Sequence, residues 1–177
     1  MDSEELKSAL IGGLEPVTVK VLDYDPLWPR RFEQLAVRVR AALGAKALIV
    51  EHIGSTAVPG LAAKPIIDIL VVVDDVNDEA GLVTPLQDAG FVLRVREPGH
   101  RMMRTSTRDV HLHFYDPHAH AIGDYLRFRD WLRSHPEDRD LYEAKKRELA
   151  GRQWDDMNYY AEAKSEVITQ ILSRAAS

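Results

Sequence analysis

Hydrophobic and polar residues alternate in short runs through the first two thirds of the chain, the period-two pattern of strands with one buried face. One run, IIDILVVV at 66–73, is apolar on both sets of alternating positions and predicts a central strand covered on both faces. The pattern predicts strands at residues 17–23, 47–54, 66–73, 90–97 and 109–115.

Apolar residues at steps of three and four predict helices between and after these strands. The first helix begins at Asp25-Pro26, where a side-chain oxygen acceptor precedes a proline, and it ends at Gly44. Further helices are predicted at residues 78–88, 120–133, 136–150 and 155–174. Mixed strands and helices followed by helices alone indicate an α+β or α/β domain with a helical C-terminal part.

Length and charge narrow the class of protein. The 177 residues suit one domain, assigned to 16–177, preceded by a mobile arm or a short peripheral helix at 1–15. A net charge of -5 gives a mildly anionic field, which makes nucleic acid an unexpected partner. There is no cysteine and no apolar run as long as a membrane span. We therefore expect a soluble, cytoplasmic protein that does not bind membranes.

One carboxylate, Asp68, interrupts the most apolar run of the sequence. Burial of an unpaired carboxylate costs several kcal/mol, or it raises the pKa until the group is protonated. Asp68 therefore needs either a buried cationic partner, such as Lys64 or an arginine, or a function that requires a carboxylate there.

A Gly-Ser pair, Gly54-Ser55, precedes Asp68 by a dozen or so residues and follows a predicted strand. Backbone N–H groups and a hydroxyl in such a turn can bind phosphate oxygens, although a plain tight turn uses the same residue types. Asp68 favours phosphate binding because it can bring a divalent cation to the same phosphate. His52 beside the loop either orients it or makes a core hydrogen bond.

The segment EHIGSTAVPGLAAKPIIDILV resembles the GrpB family, which carries a predicted nucleotidyltransferase fold of the DNA polymerase β superfamily. HLHFY, YLRFRDWLRSHPEDRDLYEAKKREL and YAEAKSEVI resemble the same family. The resemblance implies an α+β fold with a mixed β-sheet flanked by helices. It also implies Gly54 and Ser55 on a nucleotide triphosphate and Asp68 at a divalent metal, Mg²⁺ or Mn²⁺. Related segments fused behind dephospho-CoA kinase hint at nucleotide or coenzyme metabolism.

The sequence departs from the wider superfamily at Leu70. Active nucleotidyltransferases usually have a second acid at this position, which shares a strand face with Asp68, and a third acid on a later strand. Two metal ions need bridging carboxylates. A lone aspartate therefore indicates a single-metal chemistry, a site that other residues complete, or a loss of catalysis.

His111 and His113 are the predicted completion of the site. They alternate with apolar residues, so both imidazoles share one strand face, where they can ligate metal, act as general base or bind phosphate. A solvated polar strand face would show the same pattern. Imidazole ligands would also make Mn²⁺, Zn²⁺ or Fe²⁺ suitable in place of Mg²⁺.

Lys164 lies on the apolar stripe of the last predicted helix, one turn after Tyr160. A lysine on a packed face must extend to solvent, pair with an acid or reach the site. Tyr142 and Lys145 repeat the arrangement one helix earlier. Besides the Gly-Ser loop, the predicted phosphate-binding residues are Lys64, Arg104, Tyr160 and Lys164.

Two functions remain open from the sequence. One is a metal-dependent transferase acting on a nucleotide or phosphorylated small molecule, with Asp68, His111 and His113 as catalytic and metal-binding residues. The other is a non-catalytic scaffold that holds a nucleotide, a coenzyme or a partner protein, which the missing second carboxylate favours. A purely structural role is least expected because it gives the polar motif no purpose.

Overall fold

The computed structural model describes residues 3–176; residues 1 and 2 of the predicted N-terminal arm and residue 177 lie outside this part. The helices are α1 (Ser3–Ala9), α2 (Trp28–Leu43), α3 (Glu79–Asp88), α4 (His120–Ser134), α5 (Pro136–Leu149), α6 (Met157–Glu162) and α7 (Ser165–Ala175). The strands are β1 (Val17–Thr18), β2 (Ile49–Ile53), β3 (Ile67–Val72), β4 (Phe91–Glu97), β5 (His100–Thr105), β6 (Val110–Tyr115) and β7 (Gln153–Trp154).

A five-stranded sheet in the order β2-β3-β6-β5-β4 forms the centre of the fold. β3 and β6 run parallel and the other neighbours run antiparallel, so the sheet is mixed, as the predicted fold class requires. The register aligns Asp68 with His111, and His111 with Arg104 on the next strand. The strands of the aspartate and the two histidines are therefore direct neighbours.

One face of the sheet packs against α2 and α3. It is built from alternate residues of the two parallel strands, which are all buried: Ile67, Ile69, Val71, Val110, Leu112 and Phe114. Full burial of such a side chain contributes about 1.5–3 kcal/mol. Because strand side chains alternate, this packing directs Asp68, His111 and His113 to the opposite face.

The opposite face is partly covered by the C-terminal helices. α4 packs on Leu70 and Val72 through Ile122 and Leu126, while α4, α5 and α7 enclose a second apolar cluster around Tyr142. These helices leave a cavity above Asp68. No helix within residues 3–176 is both long and apolar enough to cross a membrane.

The residues before β1 form the short helix α1 and an extended segment. Ala9 and Leu10 are buried beside β4, and the Arg94 guanidinium donates hydrogen bonds to the carbonyl oxygens of Ile11 and Gly13. Of the described residues before β1, Ser3–Ala9 are helical.

Two strand predictions differ from the structure. Of the strand predicted at 17–23, only the two residues of β1 form a strand, because their partner β7 is also two residues long. Further along, Leu22 forms an isolated β-bridge with Ala63. β5 was not predicted because Arg101 interrupts its apolar alternation. This arginine is nevertheless buried, and its guanidinium is neutralised by Glu79.

The helix predicted at 155–174 is divided into α6 and α7. Its first part begins at Met157, where the carboxylate of Asp156 accepts a hydrogen bond from the Asn158 N–H. The break falls at Ala163 and Lys164, and Lys164 is the N-cap residue of α7. The break therefore coincides with the lysine that interrupts the apolar stripe.

Candidate active site

A cavity of about 430 Å³ lies between the sheet and helices α4 to α7. Nearly every predicted site residue lines it: Gly54, Ser55, Lys64, Asp68, Arg104, His111, His113 and Lys164. The structure thus brings together side chains separated by up to 110 positions in the chain. Tyr160 differs from the prediction, because it is fully buried behind the cavity wall.

Asp68, His111 and His113 form a compact cluster on the floor of the cavity. Oδ1 of Asp68 lies 3.4 Å from Nδ1 of His111 and 3.5 Å from Nε2 of His113. One ligand atom from each residue falls within 4.8 Å of the others. Ligands held about 2.1 Å from one ion at tetrahedral angles lie about 3.4 Å apart. The carboxylate and two imidazoles therefore fit a single divalent metal ion.

The Asp68 carboxylate is ionised at neutral pH. Burial raises its pKa, but hydrogen bonds from the imidazoles of His111 and His113 outweigh burial and hold the pKa well below its usual range. An ionised carboxylate between two imidazoles attracts a cation to this point of the floor.

A buried hydrogen-bond chain fixes the loop between β2 and β3. Nε2 of His52 lies 2.9 Å from the Thr56 hydroxyl, which donates to the Ile66 carbonyl oxygen at 3.1 Å. Burial lowers the pKa of His52 to about 4, so its ring is neutral at pH 7. His52 therefore both orients the loop and satisfies a core hydrogen bond, which joins the two sequence alternatives. The Ser55 side chain faces the hydroxyl of Tyr142.

Three lysine side chains form the cationic wall of the cavity, Lys64, Lys146 and Lys164. Each ammonium group contacts an uncharged acceptor: the Met157 sulfur for Lys64, the Ala62 carbonyl oxygen for Lys146 and the Tyr142 hydroxyl for Lys164. In the described part of the chain none of the three forms an ion pair with a carboxylate.

Aromatic rings support the cationic wall. The Lys164 ammonium lies 4.5 Å from the ring centroid of Tyr160, and that of Lys64 lies 4.9 Å from the same centroid. Burial lowers the pKa of Lys64 and Lys146 to about 7 and that of Lys164 to about 8. Tyr160 thus supports the cationic wall from behind, and its buried hydroxyl has no hydrogen-bond partner among the described residues.

The lysine of α5 that reaches the cavity is Lys146, whereas the sequence pattern indicated its neighbour Lys145. Lys145 is on the surface, where it pairs with Glu148, whereas Lys146 is 2% exposed. The signal was present in the spacing: Lys146 follows Tyr142 by four residues, as Lys164 follows Tyr160.

Arg104 lines the cavity, but its charge is already neutralised. Its guanidinium donates two hydrogen bonds of 2.7 Å to the carboxylate of Glu15, and Arg108 lies 3.3 Å from the same carboxylate. In this arrangement Arg104 fixes the segment before β1, which differs from the predicted phosphate contact. No local sequence pattern predicts this ion pair, because its members are 89 residues apart.

The chain is similar in sequence and in structure to several known proteins. Residues 18–174 match the family model described as GrpB protein. A UPF0157 protein of Halalkalibacterium halodurans is 47% identical over 177 residues, 97% of this chain and 91% of that protein. A dephospho-CoA kinase of Mycolicibacterium paratuberculosis is 31% identical over 190 residues, 89% of this chain and 46% of that protein. The crystal structure of the conserved protein GrpB from Enterococcus faecalis is similar with a TM-score of 0.74 and 32% identity, covering 88% of this chain and 96% of that one.

Proposed function

Because the chain belongs to the GrpB family and its cavity contains both a metal-ligand cluster and a cationic wall, we propose that it is a metal-dependent transferase. Its substrate is a nucleotide or phosphorylated small molecule, from which it moves a phosphorus-containing group. The observation that carries the proposal is the presence of Asp68, His111 and His113 in the same cavity as the three lysines of the cationic wall.

The cationic wall supports a phosphate-bearing ligand. Buried ammonium groups are unfavourable unless they are paired, and those of Lys64, Lys146 and Lys164 form no direct ion pair with a carboxylate within residues 3–176. A phosphate chain supplies several negative charges in a small volume, where the low dielectric strengthens each contact. The hydroxyl of Ser55 and the free backbone N–H groups of its loop add hydrogen-bond donors for the same oxygens.

The donor set of the cluster suits a transition-metal ion. Two imidazoles and one carboxylate favour Mn²⁺, Zn²⁺ or Fe²⁺, whereas Mg²⁺ prefers all-oxygen ligands. Asp68, His111 and His113 would hold this ion, which would neutralise negative charge on the transferred group when bound. The low pKa of Asp68 supports metal binding because the carboxylate needs no deprotonation at neutral pH.

The chain's own residues then account for the transfer. The acceptor oxygen forms a bond to phosphorus, and the bond from phosphorus to the leaving phosphate oxygen breaks, with its electron pair remaining on that oxygen. The lysine wall stabilises the negative charge that accumulates there. With both imidazoles on the ion, the acceptor's proton is lost to solvent water in the cavity.

A binding scaffold without turnover is the alternative function, and one observation favours it. Leu70 is fully buried at the position where a second carboxylate would face Asp68, and it packs against α4. A single acid does not supply the carboxylate ligands that two metal ions need. A scaffold would bind its phosphorylated ligand through the lysines and would not require a metal.

Isothermal titration separates the two functions. The full-length protein is titrated with nucleoside triphosphates and, because one relative is a dephospho-CoA kinase, with coenzyme A precursors, each with and without Mn²⁺. If the protein is an enzyme, Mn²⁺ should strengthen ligand binding in the wild type but not in Asp68→Asn. The control Asp140→Asn, a change of an exposed acid, should behave like the wild type. Ligand binding that ignores both Mn²⁺ and Asp68→Asn would establish the scaffold. Product formation, followed by phosphorus NMR, would establish turnover.

A further inference from the structure

A chain of polar contacts extends from the metal-ligand cluster towards the surface. Nε2 of His113 faces Asp68, and its Nδ1 lies 3.4 Å from Nε2 of His100. Nδ1 of His100 in turn lies 2.8 Å from Oε2 of Glu97. The four residues of this series of contacts belong to four strands of one sheet: Asp68, His113, His100 and Glu97. The sheet therefore holds the contacts in register.

The two imidazoles are oriented for a hydrogen bond in the plane of the rings. Their planes differ by 6° while their centroids are 5.6 Å apart, so the rings lie edge to edge. His100 is further held by stacking on the Tyr115 ring at 4.6 Å. The side chains of His100 and Glu97 are 15% and 21% exposed, so water competes little for these contacts.

The acid at the end of the chain fixes the direction of the hydrogen bonds. An ionised carboxylate only accepts, so Nδ1 of His100 must carry the proton that points to Glu97. Nε2 of the neutral His100 ring is then an acceptor and requires a proton on Nδ1 of His113. Nε2 of the neutral His113 ring then carries no proton, so its lone pair is free to bind a metal ion shared with Asp68.

We infer that Glu97 and His100 are positioning residues, which hold His113 with its proton on Nδ1 and present Nε2 towards Asp68. This inference rests on the proposed function, because without the ion the ionised Asp68 carboxylate accepts the Nε2 proton of His113 and favours the other tautomer. Partners behind a metal-binding histidine generally fix its tautomer and orientation, and their loss weakens metal binding about 10–100-fold.

Nitrogen NMR of the full-length protein with Zn²⁺ bound tests the contact between the two histidines. With Nε2 on the ion, the proton of the His113 ring is on Nδ1, and its hydrogen bond to Nε2 of His100 should slow the exchange of this proton with solvent. We expect a resolved Nδ1–H signal of His113 in the wild type, which His100→Ala abolishes by faster exchange. Absence of that signal in the Zn²⁺-bound wild type, or a signal that His100→Ala leaves unchanged, would overturn the inference.

Titration with Co²⁺, whose visible absorption reports imidazole coordination, tests the consequence for metal binding. His100→Ala should weaken Co²⁺ binding about 10–100-fold, and Glu97→Gln several-fold, whereas His118→Ala, a change of an exposed histidine, should leave it unaltered. Glu97→Gln covers the case in which His100→Ala fails to fold.

The two tests separate this inference from the proposed function. Absence of Co²⁺ binding in the wild type would contradict the metal cluster and overturn this inference together with the proposed function. Wild-type Co²⁺ affinity in both folded variants would overturn the positioning role, whatever the activity of the protein.

Discussion

Gly54 and Asp68 are in such close contact that a Cβ atom on Gly54 would lie 2.7 Å from the carboxylate oxygen Oδ2. Gly54 also has φ 71° and ψ -173°, a backbone conformation that is essentially restricted to glycine. The backbone of the loop thus lies directly against the side chain of Asp68. The spacing between the Gly-Ser pair and the acid in the sequence reflects this contact.

Gly54→Ala should therefore impair metal binding as well as stability. The strained backbone costs about 1–3 kcal/mol, and the added methyl group displaces Asp68 from the two histidines. We expect a lower melting temperature and Mn²⁺ binding at least about tenfold weaker, which corresponds to 1.4 kcal/mol. Calorimetry and thermal unfolding measure the two effects.

Gly60→Ala is the matched control for this change. Gly60 also has a positive φ, of 79°, but an added Cβ there meets no atom within 4 Å. It should lower the melting temperature and leave Mn²⁺ affinity at the wild-type value. If Gly54→Ala also bound Mn²⁺ like the wild type, the contact with Asp68 would be irrelevant to the metal site.

Lys146→Met should stabilise the protein and weaken phosphate binding. The change removes a buried ammonium group without an ion-pair partner among the described residues, which we expect to raise the free energy of unfolding by about 1–3 kcal/mol. Inorganic tripolyphosphate should bind at least about tenfold more weakly, because one of three wall charges is lost. Lys145→Met, the adjacent surface change, should alter neither quantity, and identical behaviour of the two variants would remove Lys146 from the wall.

The stabilising effect of Lys146→Met should depend on pH. Burial lowers the pKa of Lys146 to about 7 in the folded protein, whereas an unfolded lysine titrates near 10.4. Between these values the unfolded chain binds more protons, so the wild type gains stability as pH rises. The advantage of the variant in denaturant unfolding should therefore be larger at pH 7 than at pH 10. A constant difference would show that Lys146 is charged in both states.

Thr56→Val should disorganise the loop from within. The substitution leaves the Ile66 carbonyl oxygen and the His52 ring without their partner in a buried position, at a cost of about 2–4 kcal/mol for the two groups. Tripolyphosphate affinity should fall with stability, because Ser55 is on the same loop. Thr84→Val, on the exposed face of α3, serves as control and should leave both unchanged. Full phosphate affinity in a destabilised Thr56→Val protein would separate the loop from ligand binding.

Much of this site could be predicted because strand alternation is a local property. The pattern around Asp68, His111 and His113 determines which face each side chain takes, and burial of their apolar neighbours then directs all three to one side. That the two strands are neighbours depends on pairing across 43 residues, which no local pattern contains. The sequence therefore left the pairing of these two strands open, and the structure resolves it.

The remaining features escaped because they depend on long-range partners. Arg101 interrupts the apolar alternation of β5, and only the structure shows that Glu79 neutralises its charge. Arg104 was predicted to contact phosphate, but in the structure its guanidinium is paired with Glu15. Lys146 was missed by one position, since helix phase determines which of two adjacent lysines is buried. Such residues become interpretable only when the tertiary partners are known.

Asp156→Ala should be among the most destabilising single changes in the chain. Its carboxylate pairs with the buried Arg94 at 2.6 Å, accepts from the Glu15 N–H and caps α6. Removal of one member of a buried ion pair costs about 3–5 kcal/mol, because the other charge stays buried and unpaired. α6 carries Tyr160, so tripolyphosphate affinity should fall too. Urea unfolding measures the loss, with Asp155→Ala, the exposed neighbour, expected to unfold like the wild type. A shared urea midpoint for both variants would mean that Arg94 finds another partner, and that the segment before β1 is held independently of α6.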